Sequence, residues 1–305
     1  MAVSNAMFRI FFSYAALFSS LLGQVGPRKV GTFDYVGDGN PRQALDLYLP
    51  EKNGEKILPV IFWIHGGAWL KGSKEKPGQV LRAARSGEFA VVSINYRLTP
   101  EAIWPAQIHD CKAALRWVKG NAKKYHLDAG RIIIWGASAG GQLVAMLGTT
   151  QDDKVLDGKL GGHLDQSSKV KAVINFFGPA DLVVMNSQGS TMDHNGPQSP
   201  EGKLLGGTVL ELEEAAKSAS PFHHVTKDDA PFLTVHGTHD PLVPYAQGLA
   251  FDRKLDELKV PSILLTVDGG GHGRGFGEPV NQAVHAFLEE HGLGKVSGLK
   301  DSTVK

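Results

Sequence analysis

The sequence predicts an α/β fold, a central and mostly parallel sheet with helices on both faces. Two patterns carry that prediction: six continuous apolar runs recur along the chain, and helical periodicity separates them. A strand buried on both faces has no side to show to water, so it reads as an unbroken apolar run rather than an alternation. Parallel neighbours need a crossover, and the intervening helices supply it.

Residues 31–50 come first and follow another grammar. Two alternating segments flank Gly-Asp-Gly-Asn-Pro, the pattern of an antiparallel hairpin. The apolar runs follow at 58–67 (LPVIFWIHGG), 88–97 (EFAVVSINYR), 131–137 (RIIIWGA), 170–178 (VKAVINFFG), 230–237 (APFLTVHG) and 260–270 (VPSILLTVDGG). Helical patterns occupy 107–121, with Ala113, Ala114, Leu115, Trp117 and Val118, and then 140–147, 245–258 and 279–290. Two stretches interrupt the alternation: a polar one at 149–168, and a longer one between Gly178 and Pro221 with a single helix expected at 210–219. In a parallel α/β sheet ligands sit at the carboxyl ends of strands, so both insertions are candidate walls of a site, with a short lid among them. No internal repeat or low-complexity linker divides the chain, so one domain is expected over 25–291, with a polar, frayed tail at 292–305.

A chain of 305 residues with 42% hydrophobic content can bury a sizeable core, which excludes global disorder. The formal net charge of +1 leaves no basic excess for a phosphate backbone, so nucleic acid is not an expected partner. Cys111 is the only cysteine, which excludes an internal disulfide and a Cys-based metal site. At the N-terminus Arg9 precedes an apolar stretch of residues 10–22 and then small and polar residues. That stretch is short for a membrane span of about 20 residues. It reads as a secretory signal over about residues 1–24, giving an exported protein with no stable membrane association once the signal is removed. Oligomeric state is not legible.

Four strand ends carry unusual residues. HGGAW (65–69) follows the first parallel strand, Ser138 within GASAG follows the third, Asp240 within HGTHDPLVP follows the fifth, and His272 within GGGHG follows the sixth. G-x-S-x-G is the pattern of a nucleophile elbow, a strained turn that lifts a serine hydroxyl above a sheet at a helix N-terminus. By itself it decides little, because with 37 glycines in the chain it arises by chance in about one such sequence in four. The partners carry the argument. A serine hydroxyl is a poor nucleophile at neutral pH and needs a histidine base, and the histidine needs a carboxylate to fix its tautomer. Ser138, Asp240 and His272 are therefore the candidate catalytic residues, in the chain order Ser, Asp, His. The backbone N–H groups of Ala139 and of Gly66 or Gly67 are the candidate oxyanion donors, with the choice of glycine open.

Other residues receive blander readings. Asp228 and Asp229 compete with Asp240 for the carboxylate role, and His65 reads as a loop brace. Trp69, Tyr96 and Trp104 are candidate substrate contacts, although each is of a type more often found in the core. Asp110, Arg97 and Glu101 read as a structural ion pair near a helix start. His223, His224, His236 and His239 have no metal-binding spacing, so neither a metal nor another cofactor is expected.

These residues resemble a known superfamily. HGGAW, NYRLTPEAIWPAQIHDCKAALRWV, GASAGG, HGTHDPLVP and GGGHG are similar to the α/β-hydrolase esterases and lipases over nearly the whole chain after residue 25. LGGHLDQSSKVKAVINFFGPADL and the segment from SPEGKLLGG to HGTHDPLVP resemble more closely the BD-FAE group, bifunctional carbohydrate esterases that remove acetyl or feruloyl groups from plant polysaccharides. The resemblance implies an α/β-hydrolase fold, the same three catalytic residues, and a small or polysaccharide ester as substrate. Two departures stand out: Ala68 and Ala137 occupy positions where the hormone-sensitive-lipase-like branch has glycine and aspartate. Trp69 after H-G-G-x also resembles kynurenine formamidases, which leaves amide hydrolysis as an alternative, and a catalytically inactive binding protein on the same scaffold is a further one.

Overall fold

A computed structural model of the chain describes residues 26–52, 54–75, 77–151 and 153–305. The expected export segment lies outside the described residues, and no described helix is long and apolar enough to cross a membrane. The strands are β1 (Arg28–Asp34), β2 (Ala44–Leu49), β3 (Leu58–Ile64), β4 (Ala90–Ile94), β5 (Leu127–Ala137), β6 (Ala172–Phe176), β7 (Phe232–Gly237), β8 (Ser262–Val267) and β9 (Ser302–Val304). The helices are α1 (Gly78–Ala83), α2 (Ala106–Gly120), α3 (Ala122–Tyr125), α4 (Ala139–Thr149), α5 (Lys154–Asp157), α6 (Pro200–Leu205), α7 (Glu213–Ser218), α8 (Tyr245–Glu257) and α9 (Glu278–Leu293). The strands form one sheet in the order β1-β2-β4-β3-β5-β6-β7-β8-β9. β1 and β2 pair antiparallel as the hairpin pattern requires, β2 joins β4 antiparallel, and every pair from β4 through β3 to β9 is parallel.

The unbroken apolar runs are explained by a core on each side of the sheet. Along β3, Val60, Phe62 and Ile64 point into one core and Ile61 and Trp63 into the other; along β5, Ile132 and Ile134 oppose Ile133 and Trp135. The first core takes Ile108 and Leu115 of α2, Leu143 and Leu147 of α4, and Phe251 and Leu255 of α8. The second takes Val80 of α1 and Val280, Val284 and Phe287 of α9. Each fully buried side chain of this size contributes about 1.5–3 kcal/mol, and losing either layer would expose one whole face.

The tail differs from expectation. Instead of fraying, Ser302–Val304 adds β9 to β8, Asp268 N–H donates to Val304 O at 2.7 Å, and the Asp301 carboxylate accepts from Leu264 N–H at 2.8 Å. A polar strand is tolerated there because it lies at the sheet edge. Its arrival places Asp301 near Asp252 and Asp256 of α8. Burial, followed by the charges of Asp301 and Asp256, pushes the Asp252 carboxyl up to about 6 against the opposing hydrogen bond from Ser262. The folded state thus holds this proton more tightly than the unfolded chain, and stability declines as pH rises from about 4 through 6. Because Asp256 and Asp301 are exposed and screened, Asp252→Asn is expected to gain about 1 kcal/mol at pH 8 and nothing at pH 4, read from urea midpoints at the two pH values.

Candidate active site

The elbow forms where β5 passes straight into α4. Ser138 sits between them at φ 57° and ψ −124°, a left-handed strain that a non-glycine residue carries at a cost of about 1–3 kcal/mol. Its N–H donates to Phe176 O at 2.9 Å, and its carbonyl accepts from Gln142 N–H at 3.0 Å, so the bend is held from both sides. The flanking glycines are sterically required. A Cβ on Gly136 would come within 2.1 Å of Gly140 O, and one on Gly140 within 2.2 Å of Ile64 O. Gly140→Ala is therefore expected to cost about 3 kcal/mol in chemical denaturation, since the obstacle is backbone that cannot swing aside.

Strands β7 and β8 bring the partners. His272 Nε2 lies 3.0 Å from Ser138 Oγ, and His272 Nδ1 lies 2.7 Å from Asp240 Oδ2. This network assigns the imidazole proton to Nδ1, where it is donated to the carboxylate, and leaves Nε2 to accept the serine proton. The other carboxylate oxygen, Oδ1, accepts from Leu242 N–H at 2.9 Å and Val243 N–H at 3.0 Å. Burial alone would raise the Asp240 pKa; the neighbouring His236 and His272 imidazoles and the N–H of Val243 overcome it and hold the carboxyl well below the ordinary range. Asp240 is therefore ionised at neutral pH.

The HGG loop turns over the elbow. Gly66 presses on the nucleophile: a Cβ there would lie 2.5 Å from Ala137 O and 3.2 Å from Ser138 Cβ. Gly67 has φ 118° and faces Lys71 O, and Ala68 and Trp69 are also left-handed. Ala139 opens α4, so its N–H belongs to the positive end of the helix. His65 is a brace: it stacks on Tyr96 with ring centroids 4.4 Å apart, and burial pushes its pKa down to about 4, so it stays neutral.

Other candidates fall elsewhere. Trp69, Tyr96 and Trp104 do not line an open site; all three are buried in the core on the α2 and α4 side. Trp69 Nε1 donates to Gln142 Oε1, Tyr96 hydroxyl to His65 O, and Trp104 Nε1 to Ser218 Oγ, so their polar tips are spent inside the fold. Asp229 is bound to Thr226, and Asp228 to Lys227. Asp110 forms a fork with Arg97 and also accepts from Gln43, whereas Glu101 bonds Asn40 instead of joining them. His223 faces Asp181, His224 faces Ser218 O, His236 faces Val243 O, and His239 faces Thr238, so these histidines do not converge.

The two insertions part company. α4 runs away from Ser138 for 11 residues, so the 149–168 stretch begins about 16 Å away at the opposite end of the sheet. There Lys112 holds Thr150 O and Asp157, and the segment is no wall of the site. The 178–221 insertion does reach the site region. Thr191 N–H and hydroxyl donate to Pro241 O, beside Asp240. Within this insertion Ser190 Oγ lies 2.7 Å from His194 Nε2, whose Nδ1 lies 3.0 Å from Glu201 Oε2, a second Ser-His-carboxylate relay. Its serine oxygen also accepts from Met192 N–H and rests on Pro241 and Leu242 carbonyls, so it braces the Asp240 turn. The helix expected at 210–219 is the shorter α7, and α6 was not expected.

One site residue escaped the sequence reading. Phe177, at the end of β6 with φ 40°, sets its ring 4.5 Å from that of His272. Together with Trp135, Phe176, Gly273 and Phe276 it lines a cleft of about 770 Å³ between α1 and α9.

The chain is similar to known proteins. The BD-FAE family model matches residues 45–255, and the chain belongs to this family. It is 31% identical over 243 residues to the esterase LipC of Mycobacterium tuberculosis, covering 77% of this chain and 57% of that protein. It is 38% identical over 259 residues to an arylesterase of Saccharolobus solfataricus, covering 82% and 77%. Among solved structures, a truncated carbohydrate esterase from gut microbiota superposes with a TM-score of 0.78 at 33% identity, covering 88% of this chain and 99% of that one. The fold is that of the α/β-hydrolases. The chain spans little more than half the length of the mycobacterial relatives it matches.

Proposed function

We propose that the protein is a serine carboxylesterase that removes short acyl groups, acetyl or feruloyl, from a plant polysaccharide such as xylan. The observation that carries the reading is the continuous relay from Ser138 Oγ through His272 to Asp240 at 3.0 and 2.7 Å. Family membership and the likeness to a carbohydrate esterase support the choice of bond and of substrate class.

In this reading Ser138 Oγ attacks the ester carbonyl while His272 Nε2 takes its proton. The tetrahedral oxygen is held by the N–H of Ala139 and by one from the Gly66 and Gly67 turn, each such donor lowering the barrier by about 3–4 kcal/mol. Collapse expels the sugar oxygen, which leaves with the proton from His272, and an acyl-enzyme remains on Ser138. Water then gives its proton to His272 Nε2 and attacks the acyl carbon; the bond from that carbon to Ser138 Oγ breaks, Oγ takes the proton back from His272, and the free acid leaves. Asp240 stays ionised throughout and steadies the imidazolium.

We also propose that the protein is exported through cleavage near residue 24, which puts it where plant polysaccharide is found; N-terminal sequencing of the protein from its native host tests this. The substrate reading is tested by measuring acid released from acetylated xylan by the purified protein. Release that disappears in Ser138→Ala is expected. Turnover of p-nitrophenyl acetate without release from xylan would remove the polysaccharide, and faster turnover of N-formylkynurenine than of acetyl esters would move the reaction to amides.

A further inference from the structure

His236 is the penultimate residue of β7, and its side chain is completely buried. Nothing in the reaction above uses it. Its Nε2 lies 2.9 Å from Val243 O and 3.5 Å from Asp240 Oδ2, two atoms of the turn that carries the carboxylate. Its Nδ1 has no hydrogen-bond partner among the described residues and faces Gly248 of α8, where a Cβ would come within 2.6 Å. A ring with a carbonyl at one nitrogen and no acceptor at the other keeps its proton on the first, so Nε2–H points at the Asp240 turn. The ring lies perpendicular to that of Tyr245, with centroids 5.8 Å apart, and Tyr245 is itself tied to Thr266 Oγ1 at 2.7 Å. The imidazole is clamped.

The Asp240 carboxylate needs such a clamp. Two backbone N–H groups hold Oδ1, which fixes one oxygen but leaves the carboxylate plane free to turn about it. Oδ2 is the oxygen that receives His272 Nδ1–H, and an imidazole proton donated off the lone-pair direction loses most of its value. His236 Nε2, bonded to Val243 O and 3.5 Å from Oδ2, adds a polar contact on that second oxygen.

We infer that His236 is a positioning residue for the reaction: its Nε2–H, shared between Val243 O and Asp240 Oδ2, sets the carboxylate plane so that Oδ2 meets Nδ1–H of His272. This rests on the reading that Ser138, His272 and Asp240 perform the hydrolysis. A residue that only filled the core would affect folding and leave the His272 to Asp240 bond unchanged.

The test combines the low-field proton NMR signal of the His272 Nδ1–H with kcat and KM on p-nitrophenyl acetate. His236→Leu is expected to shift or broaden that signal and to lower kcat about ten- to thirtyfold, with KM within twofold. His236→Gln, whose amide N–H can still reach Val243 O, is expected to keep most of both. Gly248→Ala pushes on the ring from α8 without touching Ser138, His272 or Asp240, and is expected to lower kcat severalfold. An unchanged signal with kcat within twofold of wild type in folded His236→Leu would overturn the inference, as would equal damage in the Leu and Gln variants. If His236→Leu fails to fold, Gly248→Ala decides: a wild-type signal and kcat there would overturn it. Absence of ester turnover in the wild type would sink the proposed function instead, while the proton signal would still report on the Asp240 plane.

Discussion

Ser138→Ala is expected to lower ester turnover by about 10⁴–10⁶-fold while leaving the protein folded. The substitution deletes the attacking oxygen and keeps the Cβ, so the left-handed elbow at φ 57° carries the same strain as before. The backbone bonds from Ser138 N–H to Phe176 O and from Gln142 N–H to Ser138 O do not depend on the hydroxyl. Stability should therefore stay within about 0.5 kcal/mol of wild type. Steady-state kinetics beside urea denaturation check both halves, and a large loss of stability would mean that the hydroxyl also holds the turn.

Asp240→Asn is expected to lower kcat by about 10⁴-fold, by a different route. The amide oxygen can keep the Leu242 and Val243 N–H groups that Asp240 Oδ1 accepts, so the turn survives. An amide NH₂ in place of Oδ2 faces His272 Nδ1 as a donor, and the imidazole answers by moving its proton to Nε2. That proton then points at Ser138 Oγ, and the base is lost although every atom is near its place. The pH behaviour follows from the sign of the Asp240 shift. A carboxyl held below its ordinary value stabilises the fold above that value and loses the contribution only as pH falls through the folded one. Asp240→Asn is accordingly expected to be less stable than wild type at neutral pH, with the gap closing in strong acid, which urea midpoints of the two proteins at neutral and acid pH check.

How much of this was legible depended on where each residue sits relative to a strand end. Ser138, Asp240, His272 and the Gly66-Gly67 pair stand out because a hydroxyl, a carboxylate, an imidazole and paired glycines each break an apolar run at the same end of a parallel sheet. Sequence shows that break without any knowledge of side-chain direction. Trp69, Tyr96 and Trp104 show the opposite case: an aromatic beside a motif has the same spelling whether its ring faces the site or the core, and here the core wins with all three polar tips satisfied internally. The 149–168 stretch was misplaced for a geometric reason, since a helix that starts at the nucleophile must end at the far side of the sheet. The tail gained β9 because an exposed edge of β8 was available, and availability of an edge is a tertiary fact. α6 had readable signals in its Ser199 cap and Gly206 stop, but six residues are too few for periodicity to register. His236 and Phe177 lie inside apolar runs, where a histidine without metal-binding spacing draws no role and a phenylalanine reads as core.

The central claim is that Ser138 is the activated serine of this fold, and reaction with a fluorophosphonate followed by peptide mass spectrometry tests it most directly. The account predicts one adduct on the peptide carrying Ser138, lost in Ser138→Ala and much slower in Asp240→Asn. No adduct on the folded protein, or an adduct on Ser190 beside His194 and Glu201 in its place, would contradict it.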